Sequence, residues 1–180
     1  MPNNLFYKEQ SDKRLDDFKF LLRKRIVDKD GDPIMLQDWD DDTKWVRLTP
    51  YHFLHGYCEH FSFRLQVDYG LERYSFFNPA DQERFVHAFN IAVYDGVKYY
   101  VDIRGATADF REFAKEFMNE DQIPDDPSEV IRPYNGLHTP YLQVQKEFLD
   151  AFFDRYGEDL LTVAGRDITS EEYLDTSHNL

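Results

Sequence analysis

The clearest pattern of apolar positions lies in the middle of the chain. The run Phe85–Val93 is rich in strand-forming side chains, Asp95-Gly96 follows it, and a second such run spans Val97–Ile103. An Asp-Gly pair between two such runs is the strongest short-range signal for a β-hairpin, because both turn positions need a positive φ. We therefore predict a hairpin in which Tyr94 pairs with Val97.

This hairpin predicts which side chains share a face of the sheet. With a two-residue loop, Phe89 lies opposite Asp102 and His87 lies opposite Arg104. His87 and Asp102 are then diagonal neighbours on one face, with Cα atoms roughly 7–8 Å apart, within reach of an imidazole–carboxylate hydrogen bond. A four-residue loop preserves this arrangement, whereas a three-residue loop places the two side chains on opposite faces.

Other segments show helical spacing of apolar residues. One helix is predicted over residues 12–24, a second after a cap at Asp109, and a third from Pro140 through Tyr156 with Gly157 at its end. Between these helices we predict a short hairpin at 25–36, an acidic loop at 38–42 and a Pro/Asp-rich loop at 123–133.

The segment after Pro50 gives two conflicting signals. From Phe61 to Tyr69 apolar and polar residues alternate strictly, which by period alone is typical of a strand. Gly70 fits the position just after a helix, and a helix packed on two sides would bury Phe63 and Val67 on a second apolar face. We predict a helix that begins near Gly56-Tyr57-Cys58.

Composition supports one folded domain, and the predicted helices and hairpins give it an expected fold class of α+β. The chain has 180 residues, 42% of them hydrophobic and 17% aromatic, which is too apolar for a disordered acidic chain. We expect a single domain over residues 1–165, with a core at about 50–120, and a polar tail at 166–180. The sequence has no stretch of about 20 apolar residues and no signal-peptide pattern, so we expect a cytoplasmic protein.

The charge restricts the classes of partner. With 21 Lys and Arg against 35 Asp and Glu, the formal net charge is −14. Affinity for nucleic acids and anionic membranes comes largely from Lys and Arg, so we expect neither as a partner. A basic protein or peptide suits this charge better, and the sequence predicts no cofactor and no metal site.

Cys58 is the only cysteine, so the chain can form no internal disulfide. A thiol in the first turn of a helix beside a protonated histidine has its pKa lowered, and the thiolate is the nucleophilic form. The predicted helix start at Cys58 therefore makes this residue a candidate nucleophile.

The pattern Gly56-x-Cys58-x-x-Phe61-Ser62-x-x-Leu65, followed by His87 on one strand and Asp102 on the next, resembles the papain-like thiol hydrolases. The order Cys, His, Asp is that of the transglutaminase-like and bacterial amidopeptidase-type members. The resemblance covers about Tyr51 to Gly105. It implies a core in which a helix bearing the nucleophile packs on an antiparallel sheet.

The resemblance also implies roles for individual residues. Cys58 would be the nucleophile, His87 the base, and Asp102 the group that orients the imidazole. The family's oxyanion hole uses the backbone N–H of the nucleophile and a polar side chain upstream, where papain has Gln. This chain has no Gln there, and His52 is the nearest substitute, with Tyr51 and His55 as alternatives.

Each candidate also has a purely structural interpretation. A lone cysteine is often a small core residue, His87 could be a buried core histidine, and Asp102 could pair with Arg104 or Lys98. His52, His55 and His60 with Glu59 suggest metal ligands, but Gly56 breaks the helix between them. Residues 28–32 resemble a calcium loop faintly and are better explained as a hairpin turn.

Two classes of function follow. The first is an intracellular cysteine hydrolase or acyltransferase that acts on an amide, isopeptide or glutamine side-chain bond through Cys58, His87 and Asp102; peptidase, deamidase and transamidase share this chemistry. The second is a non-catalytic acidic protein, for instance an inhibitor whose carboxylates mimic nucleic acid and engage a basic partner.

Overall fold

The computed structural model describes residues 20–38, 40–94, 96–137 and 140–160. In these residues the chain forms a mixed α/β fold with a five-stranded and a two-stranded antiparallel sheet. The helices are α1 (Pro50–Leu54), α2 (Cys58–Tyr69), α3 (Phe110–Ala114) and α4 (Gln143–Leu160). The strands are β1 (Met35–Gln37), β2 (Trp45–Arg47), β3 (Arg73–Asn78), β4 (Asp81–Tyr94), β5 (Val97–Asp102), β6 (Gly105–Thr107) and β7 (Ile131–Pro133).

The large sheet is built around the predicted hairpin. Its strand order is β6-β5-β4-β3-β7, and Tyr94 pairs with Val97 as expected. Strands β3 and β6 were not predicted, and β7 lies inside the segment 123–133 that was predicted to be a loop. Strand β6 follows β5 through the two-residue turn Ile103-Arg104, so Asp102 pairs with Gly105.

The two faces of the sheet pack against different helices. Helices α2 and α4 cover one face, where Ala92, Val101 and Ile103 join their apolar side chains in one core cluster. Helix α3 covers the other face, where Phe76 and Phe89 pack with Phe113 in a second cluster. Alternate residues of β4 therefore contribute to different cores, as the period of a strand requires.

A β-bulge interrupts the pairing of β3 with β4 beside His87. Phe76 pairs with His87 but Phe77 pairs with Phe85, so Val86 is an extra residue on β4. In an unbroken strand, Phe85 and His87 would lie on one face. The bulge shifts the alternation by one residue, and Phe85 instead packs with Ala88 in the cluster that contains Cys58.

Helix α2 spans Cys58–Tyr69, so the prediction of a helix is confirmed and the strand alternative is wrong. Gly56 has a φ of 117° just before the helix, and Gly70 caps it at a φ of 73°, conformations that favour glycine. The predicted second apolar face does not form at Val67, which is 63% exposed.

Several other predictions concern the ends of the chain. The tail predicted at 166–180 lies outside the described residues, and so does most of the helix predicted at 12–24. The described end of that segment forms a 3₁₀ turn at Phe20–Arg23. Helix α3 is capped by the Asp109 side chain, as predicted. Helix α4 continues to Leu160, so the predicted end at Gly157 is wrong. Gly157 occupies an ordinary helical position near the Tyr69 hydroxyl.

The acidic loop does connect β1 to β2, but the hairpin predicted at 25–36 is reduced to one bridge between Val27 and Pro33. The Asp28 carboxylate accepts hydrogen bonds from the Asp30 and Asp32 backbone N–H groups, which stabilises this turn. Within the described residues, none of the helices has the length and apolar character needed to cross a bilayer.

Candidate active site

Cys58 is the first residue of α2 and lies beside β4. Its Sγ accepts a hydrogen bond from the Ala88 backbone N–H over 3.4 Å. The pairing of β4 with β5 ends at Asn90 and Val101, so Ala88 lies beyond the paired region. The thiol therefore occupies the position beside β4 that a neighbouring strand would otherwise fill.

His87 and Asp102 are joined as the hairpin predicted. His87 Nε2 lies 3.0 Å from Asp102 Oδ2, and both side chains are buried. Among the described residues, His87 Nδ1 has no hydrogen-bond partner. An ionised carboxylate only accepts, so Nε2 carries the ring proton and Nδ1 keeps a free lone pair.

Asp102 also pairs with Arg104, as its purely structural interpretation predicted. The Arg104 backbone N–H and Nε donate to Oδ1 over 2.9 and 3.0 Å, and Nη2 donates to Oδ2 over 2.7 Å. Both side chains are buried. One carboxylate thus holds a guanidinium and an imidazole at the same time.

The Cys58 and His87 side chains pack on different faces of the sheet. The Phe117 ring stacks on the imidazole of His87, with ring centroids 3.9 Å apart, and Phe76 and Phe113 lie around it. Cys58, in contrast, packs with Ala88 and Tyr134. The two meet at the backbone of Ala88, since Sγ lies 3.4 Å from the nitrogen that follows His87 in the chain.

Aromatic side chains close the site. Phe85 and Tyr134 stack with centroids 4.9 Å apart and pack on Cys58, which is 6% exposed. The imidazole of His87 is not exposed at all. In this closed arrangement, neither group is open to a large substrate.

Burial sets the protonation of the thiol. It raises the pKa of Cys58 to about 11, because the hydrogen bond from Ala88 offsets only part of the cost of a buried thiolate, and the charges of Glu59 and Asp102 raise the pKa further. The sequence predicted a lowered pKa, from the helix N-terminus and a protonated histidine beside it. Cys58 is therefore a neutral thiol at pH 7 in the closed site.

The paired side chains of His87 and Asp102 also have shifted pKa values. Burial lowers the pKa of His87, and together with the charges of Arg104 and His55 it outweighs the raising effect of Asp102. Burial would raise the pKa of Asp102, but the Arg104 guanidinium and the His87 hydrogen bond outweigh it and hold the pKa of Asp102 well below its usual range. At pH 7 the site thus contains a thiol, a neutral imidazole and a carboxylate.

A polar network beside Cys58 was not predicted from the sequence. The Tyr134 hydroxyl donates to Glu59 Oε2 over 2.8 Å, and Glu59 is buried immediately after Cys58. Arg73 donates to the Glu59 and Gly136 backbone carbonyls. The only sequence signal for this network was a Glu beside the candidate nucleophile in a segment of helical pattern.

The oxyanion candidate His52 lies in the first turn of α1. The Thr49 N–H donates to His52 Nδ1 over 3.0 Å, which caps the start of α1. His55 Nε2 contacts Glu116 Oε1 at 3.2 Å, and His60 stacks on Tyr141. These three histidines thus have separate partners, and no group of three or more metal-ligating side chains forms within the part of the chain that the structure describes.

Comparisons of this chain with protein-family models, curated proteins and solved structures found no match. The functional assignment therefore depends on the geometry of Cys58, His87 and Asp102.

Proposed function

We propose that this protein is a papain-like cysteine hydrolase or acyltransferase that acts on an amide, isopeptide or glutamine side-chain bond. The observation that carries the proposal is the arrangement of hydrogen bonds around His87. Its Nε2 is bound to Asp102 and its Nδ1 is free, while the Cys58 thiol contacts the next backbone N–H. This combination supports a nucleophile with a base oriented by a third group.

The proposed reaction starts from a neutral thiol and a neutral imidazole. Opening of the closed site first brings Sγ within hydrogen-bond reach of His87 Nδ1, which has no partner among the described residues in the closed arrangement. The thiol proton then moves to Nδ1 as Sγ bonds to the substrate carbonyl carbon. The C–N bond then breaks, and the same proton passes to the leaving nitrogen. Water or an amine attacks the thioester, its proton moves to Nδ1, and the departing Sγ recovers a proton from His87.

The position of Cys58 also supports stabilisation of the tetrahedral intermediate. The first backbone N–H groups of a helix lack partners within the helix, and a helix N-terminus favours a nearby negative charge. The Cys58 N–H is therefore the first proposed oxyanion donor. His52, whose Nδ1 is engaged at Thr49, is not proposed as the second.

Alkylation of the single cysteine tests the proposal. Iodoacetamide labelling of the full chain at pH 7 reports Cys58 alone, and we expect His87→Ala to slow it by about 100-fold or more, the range of general-base effects. His52→Ala should keep the rate of the natural chain. Labelling unaffected by His87→Ala would contradict the proposal.

A second measurement tests acyl transfer directly. Incubation with p-nitrophenyl acetate should add one acetyl group to Cys58, seen by mass spectrometry, and the group should then disappear as the thioester is hydrolysed. No acetylation of Cys58 in the natural chain, or equal acetylation of His87→Ala, would count against an acyl-enzyme mechanism.

The net charge of −14 supports a second candidate, an acidic protein that binds a basic partner without catalysis. Its binding to a basic protein should persist in Cys58→Ala and weaken steeply as salt is raised. Binding that does not depend on salt would contradict this candidate.

A further inference from the structure

Arg104 is buried in the two-residue turn between β5 and β6. Its guanidinium donates to both oxygens of Asp102 and to the Phe113 carbonyl, the latter over 3.0 Å. It also lies over the rings of Phe113 and Phe117, at 4.7 and 5.2 Å from their centroids. These contacts fix the guanidinium in one position.

The guanidinium and the imidazole share one acceptor. Asp102 Oδ2 accepts from Arg104 Nη2 over 2.7 Å and lies 3.0 Å from His87 Nε2. The two nitrogens are therefore less than about 6 Å apart, a range in which a charge shifts a neighbouring pKa. Burial keeps solvent from screening this interaction.

Other charged or titratable groups also surround His87. Asp102 is the only one of them hydrogen-bonded to its imidazole among the described residues. Cys58 and Glu59 lie on α2, while His55, with its partner Glu116, contacts the Phe117 ring that covers the imidazole.

We propose that Arg104 is a positioning residue: its guanidinium compensates the charge of Asp102 and so helps burial to keep His87 uncharged, while the Asp102 carboxylate holds the ring proton on Nε2 and leaves Nδ1 as an acceptor. A lone carboxylate would stabilise an imidazolium, whereas a carboxylate already paired with a guanidinium does so much less. Arg104 therefore adds to the effect of burial on His87 and favours a resting state of thiol and imidazole over thiolate and imidazolium.

The charge state and the tautomer of His87 do not require the proposed function, and only their use in catalysis rests on it. The ordinary pKa of histidine is near 6.5, so a base with a lone carboxylate partner would be protonated in mildly acidic solution. With Arg104 in place, His87 remains an acceptor there.

Nitrogen NMR of the histidine rings in the ¹⁵N-labelled full chain tests the inference, with the His87 signals assigned by their loss in His87→Asn. In the natural chain we expect a neutral ring with the proton on Nε2 from pH 5.5 to 8. Arg104→Met should raise the His87 pKa by about one unit or more, and Arg104→Lys should restore most of the natural value.

An unchanged His87 titration in folded Arg104→Met would overturn the inference. If that variant does not fold, the natural chain still decides: an imidazolium at pH 6, or a proton on Nδ1, would overturn it. The NMR result stands apart from alkylation, because His87 can hold this charge state even if the thiol reacts without its help.

Discussion

The two faces of the central sheet solve different packing problems. On the face covered by α2, β4 presents Ala88 and Asn90, and the Asn90 amide donates to the Ser62 and Leu71 carbonyls. On the face covered by α3, the same strand presents His87 and Phe89 to a cluster of phenylalanine rings. On the first face, small and polar residues let the backbone of α2 approach β4. On the second face, covered by α3, aromatic residues exclude water from the ion pair between Asp102 and Arg104.

This difference separates the thiol from its proposed base. Cys58 belongs to the first face and His87 to the second, and they meet only at the backbone of Ala88. The comparison predicts that packing on the second face is stabilised mainly by the ion pair between Asp102 and Arg104. On the first face, it predicts that polar contacts to backbone carbonyls stabilise the docking of α2.

The largest expected effect is on the second face. Asp102→Ala leaves the buried Arg104 guanidinium without its carboxylate, and we expect a loss of about 3–5 kcal/mol in the free energy of unfolding, measured in urea. Asp125→Ala breaks the exposed pair with Arg111 and should cost less than about 1 kcal/mol. Equal losses in the two variants would show that burial does not distinguish these pairs.

The next effect concerns the thiol on the first face. The pKa of Cys58 is raised to about 11, so the folded state keeps a proton that the unfolded state releases. The resulting stability is complete below the unfolded pKa, near 9, and is lost as pH rises toward 11. We expect the natural chain to lose about 2–3 kcal/mol more than Cys58→Ala between pH 8 and pH 11.

Chemical unfolding of both chains at each pH provides this measurement. Tyrosines and lysines titrate in both chains, so only the difference between them reports the thiol. Parallel stability curves would mean that the thiol ionises as readily in the folded state as in the unfolded one.

A smaller effect tests the polar contacts of the first face. Asn90→Ala removes two hydrogen bonds to backbone carbonyls, and we expect a loss of about 2 kcal/mol in unfolding free energy. Asn135 is exposed, so Asn135→Ala should change stability by less than about 0.5 kcal/mol. A neutral Asn90→Ala would show that α2 docks through its apolar residues alone.

The smallest effect concerns the helix that covers the second face. Asp109 accepts from the Glu112 N–H at the start of α3, and Asp109→Ala should cost about 1 kcal/mol in thermal or urea unfolding. Asp121→Ala, at another exposed acidic position, should cost less than about 0.5 kcal/mol. A cost for Asp121→Ala as large as that for Asp109→Ala would indicate a general charge effect instead of a lost cap.

Local signals predicted the parts of the site that depend on neighbours in sequence. The Asp95-Gly96 pair in the sequence predicted the register that joins His87 to Asp102, and Gly56 and Gly70 marked the limits of α2. These features follow from backbone sterics and strand periodicity, which act over a few residues. The bulge at Val86 left no such signal, so strand period alone would place Phe85 on the same face as His87, where it does not lie.

Long-range packing decided the remaining features of the site. Strands β3 and β7 add to the hairpin through pairing that no short motif encodes, and Tyr134 reaches Glu59 from 75 residues away. His52 caps α1 through a contact with Thr49. This contact could not be predicted from the spacing between His52 and Cys58.

The sequence by itself determined that a helix begins at the single cysteine and that His87 and Asp102 share a face, because turn chemistry and strand period are local. Only the tertiary structure decided that the thiol is buried and neutral, and that Arg104 shares the carboxylate of Asp102. Charge states depend on burial and on groups brought together by folding, and these are properties of the packed molecule.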